Sequence, residues 1–248
     1  MKAPVVVAAS SYGADYVRRV GHAQLVPVVA AAGAAGLEIH RELCDAWPDF
    51  RQLRDVLLAH HLFSVYSASI ELFRPDGTLA REELEEVVAE AQLLESRFVK
   101  LSLGHFSPAS DMREWSRLVA QTPLPLLIEN DQTPHGGMLN AIANFMAVCA
   151  GTGVSVGMTF DIGNWRWHGV DAEVAARTLA QHVQYVHCKG VSEDGGKLTA
   201  APLEHDDAQW RQVFSYFRRG VHRAIEFPLV GPDLTEVTRH YVTMLASA

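Results

Sequence analysis

The sequence predicts an α/β protein: a closed (β/α)8 TIM barrel forming a single domain over residues 1–248. Three observations lead there. Eight short apolar segments alternate with longer stretches of helical spacing, at intervals that suit a barrel. Most of the eight are continuously apolar, as parallel strands covered by helices require. The competing open doubly wound sheet lacks its signature, because no GxGxxG loop follows the first segment and no GxxxxGK[ST] phosphate loop occurs anywhere.

Taken in order, the strand candidates are PVVVAAS at 4–10, GLEIH at 36–40, HLFSVYS at 61–67, RFVKLSL at 97–103, PLLIEN at 125–130, VSVGMTFD at 154–161, VQYVHC at 183–188 and RAIEF at 223–227. Gly33 and Gly36, and Gly151 and Gly153, precede strands and are expected to end helices. The clearest helix is TLAREELEEVVAEAQLLE at 78–95, where Thr78 precedes Glu82 and Glu83 and Leu84, Val87, Val88 and Ala91 form the apolar face. In DMREWSRLVAQ at 111–121, Met112, Trp115, Leu118 and Val119 recur at helical spacing, and Asp111 caps or charges the first turn. DDAQWRQVFSYF at 206–217 repeats the pattern with Trp210, Val213, Phe214 and Phe217 behind an Asp206 cap. These aromatic stripes read as core between helix and sheet. No Pro/Gly/Ser-rich linker, charge block or low-complexity tract divides the chain.

Composition narrows the function. With 48% apolar and 20% charged residues the chain can build a large core. Its 29 acidic against 21 basic side chains, a formal charge of −8, argue against a nucleic-acid partner. Charged residues interrupt every apolar run, so no membrane span is expected. The opening MKAPVVVAASS is too brief in its apolar part for a signal peptide and reads as the first buried strand. Cys44, Cys149 and Cys188 show no paired spacing, which suits a reducing, cytoplasmic setting.

The polar ends of the late strands carry the chemistry. The fifth segment ends at Glu129, the sixth at Asp161, the seventh contains His187 and the eighth Glu226. A barrel gathers the C-terminal ends of its strands around one mouth. Three carboxylates converging there repel one another unless a cation joins them. Three oxygen ligands and one nitrogen suit manganese, magnesium, cobalt or zinc.

These strand ends resemble the xylose-isomerase-like barrels, a family that includes sugar phosphate isomerases and epimerases, ketose 3-epimerases, inosose dehydratases and related apurinic endonucleases. The resemblance covers nearly the whole chain and is densest at LLIEND, FDIGNW, YVHCKGV and AIEFP. It implies that Glu129, Asp161, His187 and Glu226 ligate one divalent metal, Mn2+ by preference, and that Glu129 and Glu226 exchange the substrate proton. The implied reaction is metal-dependent isomerisation or epimerisation of a sugar or sugar-like polyol, through proton abstraction beside a carbonyl and an ene-diolate. A carboxylate removes the proton and the cation stabilises the oxygen that becomes negative. Two positions depart from family patterns. Asn164 stands where ketose 3-epimerases carry histidine after Asp161, and Gly190 stands where many relatives carry aspartate after a His-x-Lys.

Other side chains flank the expected mouth. Asn164 and Lys189 are candidates for holding substrate hydroxyls or a phosphate, Trp165 and Trp167 for an apolar wall, and His105 for ligand contact. Glu38 and His40 lie near an earlier strand end, with Glu71 a weaker candidate. Asn130 and Asp131 are placed to orient the ligands. Strand alternation turns Cys188 away from the mouth, as a buried inert thiol. The polar segment 190–206 is either a lid or an ordinary surface loop. A dehydratase or other lyase shares the first chemical step, and a non-catalytic metal-binding barrel is the alternative outside enzymology. An endonuclease would need further ligands from His40, His60, His61, His105 or His135. A homodimer fits the resemblance, although no sequence feature supplies its interface.

Overall fold

The computed structural model describes residues 3–44, 48–204 and 208–248. Eight parallel strands close into a barrel: β1 (Val5–Ala8), β2 (Gly36–His40), β3 (Phe63–Phe73), β4 (Val99–Gly104), β5 (Leu126–Glu129), β6 (Gly157–Asp161), β7 (Val183–Cys188) and, beyond a hairpin, β10 (His222–Ile225). Strand β10 pairs with both β7 and β1 and so completes the circle. The expected segments thus become the barrel staves, with shifted ends. Strand β3 runs to Phe73, six residues past the expected end at Ser67, and its pairing with β4 shifts register between Ser67 and Glu71. The polar segment 190–206 is partly regular: β8 (Gly190–Asp194) and β9 (Lys197–Ala201) form an antiparallel hairpin leaving the end of β7.

The helices are α1 (Ala14–Val20), α2 (Val26–Ala31), α3 (Phe50–Ala59), α4 (Arg81–Leu93), α5 (Met112–Gln121), α6 (Leu139–Gly151), α7 (Ala172–Leu179), α8 (Ala208–Phe214) and α9 (Leu234–Ser247). Helix α5 is capped as expected: Asp111 Oδ1 accepts from the amides of Arg113 and Glu114 at 3.1 and 3.0 Å, and Trp115 and Leu118 are buried. Asp49, Asp171 and Asp233 cap α3, α7 and α9 in the same way. Helix α4 starts only at Arg81, because the Thr78 hydroxyl turns back to Asp76 at 2.6 Å. The Asp206 cap expected for α8 lies outside the described residues. Gly33 and Gly153 follow α2 and α6 with positive φ, as helix-ending glycines do, and Gly151 is the last residue of α6. Gly36 instead opens β2, where a Cβ would stand 2.6 Å from the Phe63 carbonyl oxygen; glycine is needed there for strand approach. No helix among the described residues is long and apolar enough to cross a membrane.

Alternation along the staves sorts the barrel interior into two layers. Val6, Val65, Phe98, Leu127, Tyr185 and Ala224 form a buried apolar cluster inside the barrel, with the Phe98 and Tyr185 rings 5.0 Å apart. Two residues further along β4, β5, β7 and β10 come Lys100, Glu129, His187 and Glu226, a polar layer on that apolar floor. The larger core fills the space between the strands' outer faces and the helices.

Candidate metal centre

Glu129, Asp161, His187 and Glu226 come together. Each offers one ligand atom, and these atoms lie within 4.8 Å of one another. His187 Nδ1 is 2.8 Å from Glu129 Oε1, 3.0 Å from Glu226 Oε2 and 3.8 Å from Asp161 Oδ2. The ring's other nitrogen, Nε2, meets Glu38 Oε2 at 2.8 Å, and the Tyr185 hydroxyl donates to that same oxygen at 2.7 Å. Glu38 therefore sits behind the histidine and leaves Nδ1 facing the carboxylates, the arrangement by which a carboxylate orients a metal-ligating imidazole.

Two lysines complete the group. Lys100 Nζ lies 2.5 Å from Glu129 Oε2 and 3.5 Å from Glu38 Oε1, while Lys189 Nζ lies 2.7 Å from Asp161 and 2.8 Å from Glu226. Burial favours the neutral amine of Lys100, but Glu129 and Glu38 overcome it and hold the ammonium form. Asp161 and Glu226 do the same for Lys189 against its own burial. Lysines held in this state are charge partners, not amine nucleophiles.

The carboxylates divide. Burial raises Glu129 and Glu226, yet Lys100 with His187, and His187 with Lys189, outweigh it and keep both below the usual carboxylate range. Glu38 is held low against burial by His187 and Lys100. For Asp161 burial wins over Lys189, and its carboxyl is pushed up to about 7. Burial disfavours the imidazolium of His187, but Glu226, Glu38 and Glu129 raise the ring well above its ordinary range.

The donor set fits a divalent ion. Asp161 Oδ2 and His187 Nδ1 are buried, and neither makes a hydrogen bond of acceptable angle despite the short distances around them. Once Asp161 and His187 have given up their protons, four carboxylates, Glu38 included, face two ammonium groups, and one divalent cation would balance the site. The ligand side chains also differ in access. Asp161 and His187 are wholly buried, whereas Glu129 and Glu226 retain 10% and 16% exposure. A pocket of ≈ 260 Å³ bordered by Ser10, Ser11, Lys189, Glu226, Phe227 and hairpin residue Ala200 opens beside them. A larger hollow of ≈ 450 Å³, lined in part by Arg41, Phe50 and Glu90, contains none of the four ligands.

Several expected contacts are placed differently. Trp165 is fully buried with its ring 5.5 Å from that of Phe160, so it belongs to the core and is not a pocket wall. Trp167 is partly exposed. Asn164 spends its amide on loop structure: Nδ2 donates to the Asn130 carbonyl at 2.8 Å and Oδ1 accepts from Gln132 at 3.0 Å. Lys189 meets Asp161 and Glu226 before any phosphate. Asn130 brackets the Asp161 backbone, accepting from its N–H at 2.8 Å and donating to its carbonyl at 2.9 Å. Asp131 caps its own loop through Thr133. His105 lies outside this group, with Glu71 and His135. His60 and His61 are exposed at the end of α3. His40 stands 3.8 Å from Glu38. Cys188 is buried, and that burial pushes its thiol up to about 12. Lys100 escaped the sequence reading, although a lysine inside an otherwise apolar strand was the available signal.

No protein-family model matches the sequence, and no curated protein matches it. Solved structures do match. A xylose isomerase domain containing protein from Salmonella typhimurium LT2 aligns over 99% of this chain and 98% of its own, with a TM-score of 0.75 and 13% identity. A probable 3-DHS dehydratase of petrobactin synthesis from Bacillus anthracis aligns over 98% of both chains at a TM-score of 0.71 and 14% identity. D-psicose 3-epimerase from Clostridium cellulolyticum H10, solved with D-tagatose, covers 99% of this chain and 98% of its own at 0.68 and 11%. At such identities the likeness establishes the fold alone, a closed (β/α)8 barrel.

Proposed function

We propose that this xylose isomerase-like barrel is a divalent-metal-dependent isomerase or epimerase of a sugar or sugar-like polyol. The observation that carries the reading is the convergence of Glu129, Asp161, His187 and Glu226, with two buried ligand atoms lacking hydrogen bonds. Manganese is the favoured ion, with magnesium, cobalt or zinc able to take the same donors. When bound, the ion supplies charge stabilisation for a substrate oxygen that turns negative as a neighbouring carbon loses its proton. Asp161 and His187, without exposure, act as ligands only. Glu129 and Glu226 keep exposed surface and are held as carboxylates, so either can accept a substrate proton. In an epimerisation one removes the proton and the other returns it on the opposite face. Lys189 keeps Glu226 ionised between turnovers, and Lys100 does so for Glu129.

The test is solvent-deuterium exchange into a panel of ketoses and keto-polyols, comparing manganese-loaded with chelator-stripped protein. Exchange confined to the loaded form is expected, with product mass conserved apart from the label. Undiminished exchange after verified metal removal overturns the reading. Loss of one water from the product would instead select the dehydratase alternative, which the likeness to the probable 3-DHS dehydratase keeps in view.

A further inference from the structure

We propose that Glu71, His105 and His135 form a second cation site at the barrel rim, selective for an imidazole-preferring divalent metal such as zinc. Each offers one ligand atom within 4.8 Å of the others, and none belongs to the group around His187. His135 Nε2 lies 2.7 Å from Glu71 Oε1 and His105 Nε2 lies 3.7 Å from Glu71 Oε2, so both rings turn the same nitrogen to one carboxylate. The two imidazoles stack with centroids 3.7 Å apart and planes at 13°.

The backbone assembles this triad from three separate parts of the barrel. The long stave β3 carries Glu71 beyond its register shift, level with Ser102 of β4, which is itself level with Glu129. Gly104 then closes the gap. Its φ is +68°, and a Cβ there would overlap the Phe73 carbonyl and stand 2.8 Å from Glu71 Cβ. The next residue, His105, donates its N–H to the Phe73 carbonyl at 2.9 Å and is pinned beside β3. His135 sits in a loop fixed by Asp131 and Thr133: Asp131 accepts from the Thr133 amide and hydroxyl, and the Gly136 amide donates to that hydroxyl at 3.0 Å.

Two imidazoles and one carboxylate are a zinc-type donor set, softer than the oxygen-rich centre deeper in the mouth. Side-chain exposures of 37%, 33% and 30% for Glu71, His105 and His135 leave a face open for water or a fourth ligand. Ligand atoms about a four-coordinate zinc stand about 3.3 Å apart. Rotation about the side-chain bonds closes the remaining distance, and the stacked rings splay as it does.

The experiment uses the full chain, stripped with chelator and dialysed against zinc chloride, with bound metal measured by elemental analysis. The His105→Ala/His135→Ala double variant is expected to hold one zinc fewer than the wild type. This difference is read whatever the deeper centre binds, so failure there and failure here are distinguishable. Equal zinc content in the two proteins overturns the proposal. In the wild type, two histidine ring-nitrogen resonances that are absent from the spectra of His105→Ala and His135→Ala single variants should shift together on zinc titration. Should the double variant not fold, that NMR titration decides: unshifted rings at saturating zinc overturn the site.

Discussion

At the scale of single residues, the convergence of Glu129, Asp161, His187 and Glu226 was legible because alternation fixes which strand positions face the barrel axis, and a polar side chain closing an apolar run stands out. Lys100 was harder to see: it interrupts the middle of RFVKLSL, where its burial beside Glu129 is evident only once β4 and β5 are in register. Proximity to Asp161 in sequence says nothing about which way a ring turns after the strand ends, and Trp165 packs its ring beside Phe160. Glu129→Gln and Glu226→Gln should each lower turnover by about a thousandfold or more, since each loses a charge and a proton acceptor. Steady-state assays at saturating manganese check this, and no recovery with excess ion is expected. His187→Ala should differ, regaining part of its activity as manganese is raised. Glu38 meets His187 Nε2 at 2.8 Å, so Glu38→Gln should weaken manganese binding by about 10–100-fold, because the charge that orients the His187 ring is lost. Calorimetric titration reads that loss without any substrate.

Among elements, continuity of apolar character located all the barrel staves, whereas their ends depended on partners remote in sequence. The segment 183–188 coincides with β7, but β3 continues through Ala68, Ser69 and Ile70 because pairing resumes with β4 after the register shift. Helix starts were readable where an aspartate sits just ahead of the first turn, as at Asp111, and misleading at Thr78, where Asp76 competes for the hydroxyl. Asp111→Ala should cost about 1 kcal/mol of unfolding free energy, in the ordinary range for a lost cap. Urea denaturation of the metal-free protein measures it, with manganese affinity expected to stay unchanged. The hairpin β8–β9 was legible as a polar, glycine-bearing insertion but not as paired strands, since its ladder arises only when Gly195 and Gly196 turn with positive φ.

For the whole molecule, the proposed metal binding is linked to proton binding. Metal-free protein keeps a proton on His187 and, below about pH 7, one on Asp161, both of which must leave before the ion is held. Because both groups are raised, apparent metal affinity should climb as pH rises from about 6 to 8, with between about one and two protons released per ion. Calorimetry in buffers of different ionisation enthalpy counts them; a pH-independent affinity would contradict the assignment. The apolar floor formed by Val6, Val65, Phe98, Leu127, Tyr185 and Ala224 carries the last consequence. It floors the barrel like a vessel, with the polar layer at its door. A hydrogen lifted in the proposed reaction has that apolar floor behind it, so its escape to bulk water competes with return to the same molecule. Starting from substrate tritiated at the reacting carbon, some of the label should therefore be returned by the same glutamate to recovered substrate while product takes its hydrogen from the other, and widening the door by removing the hairpin should wash more of the label out.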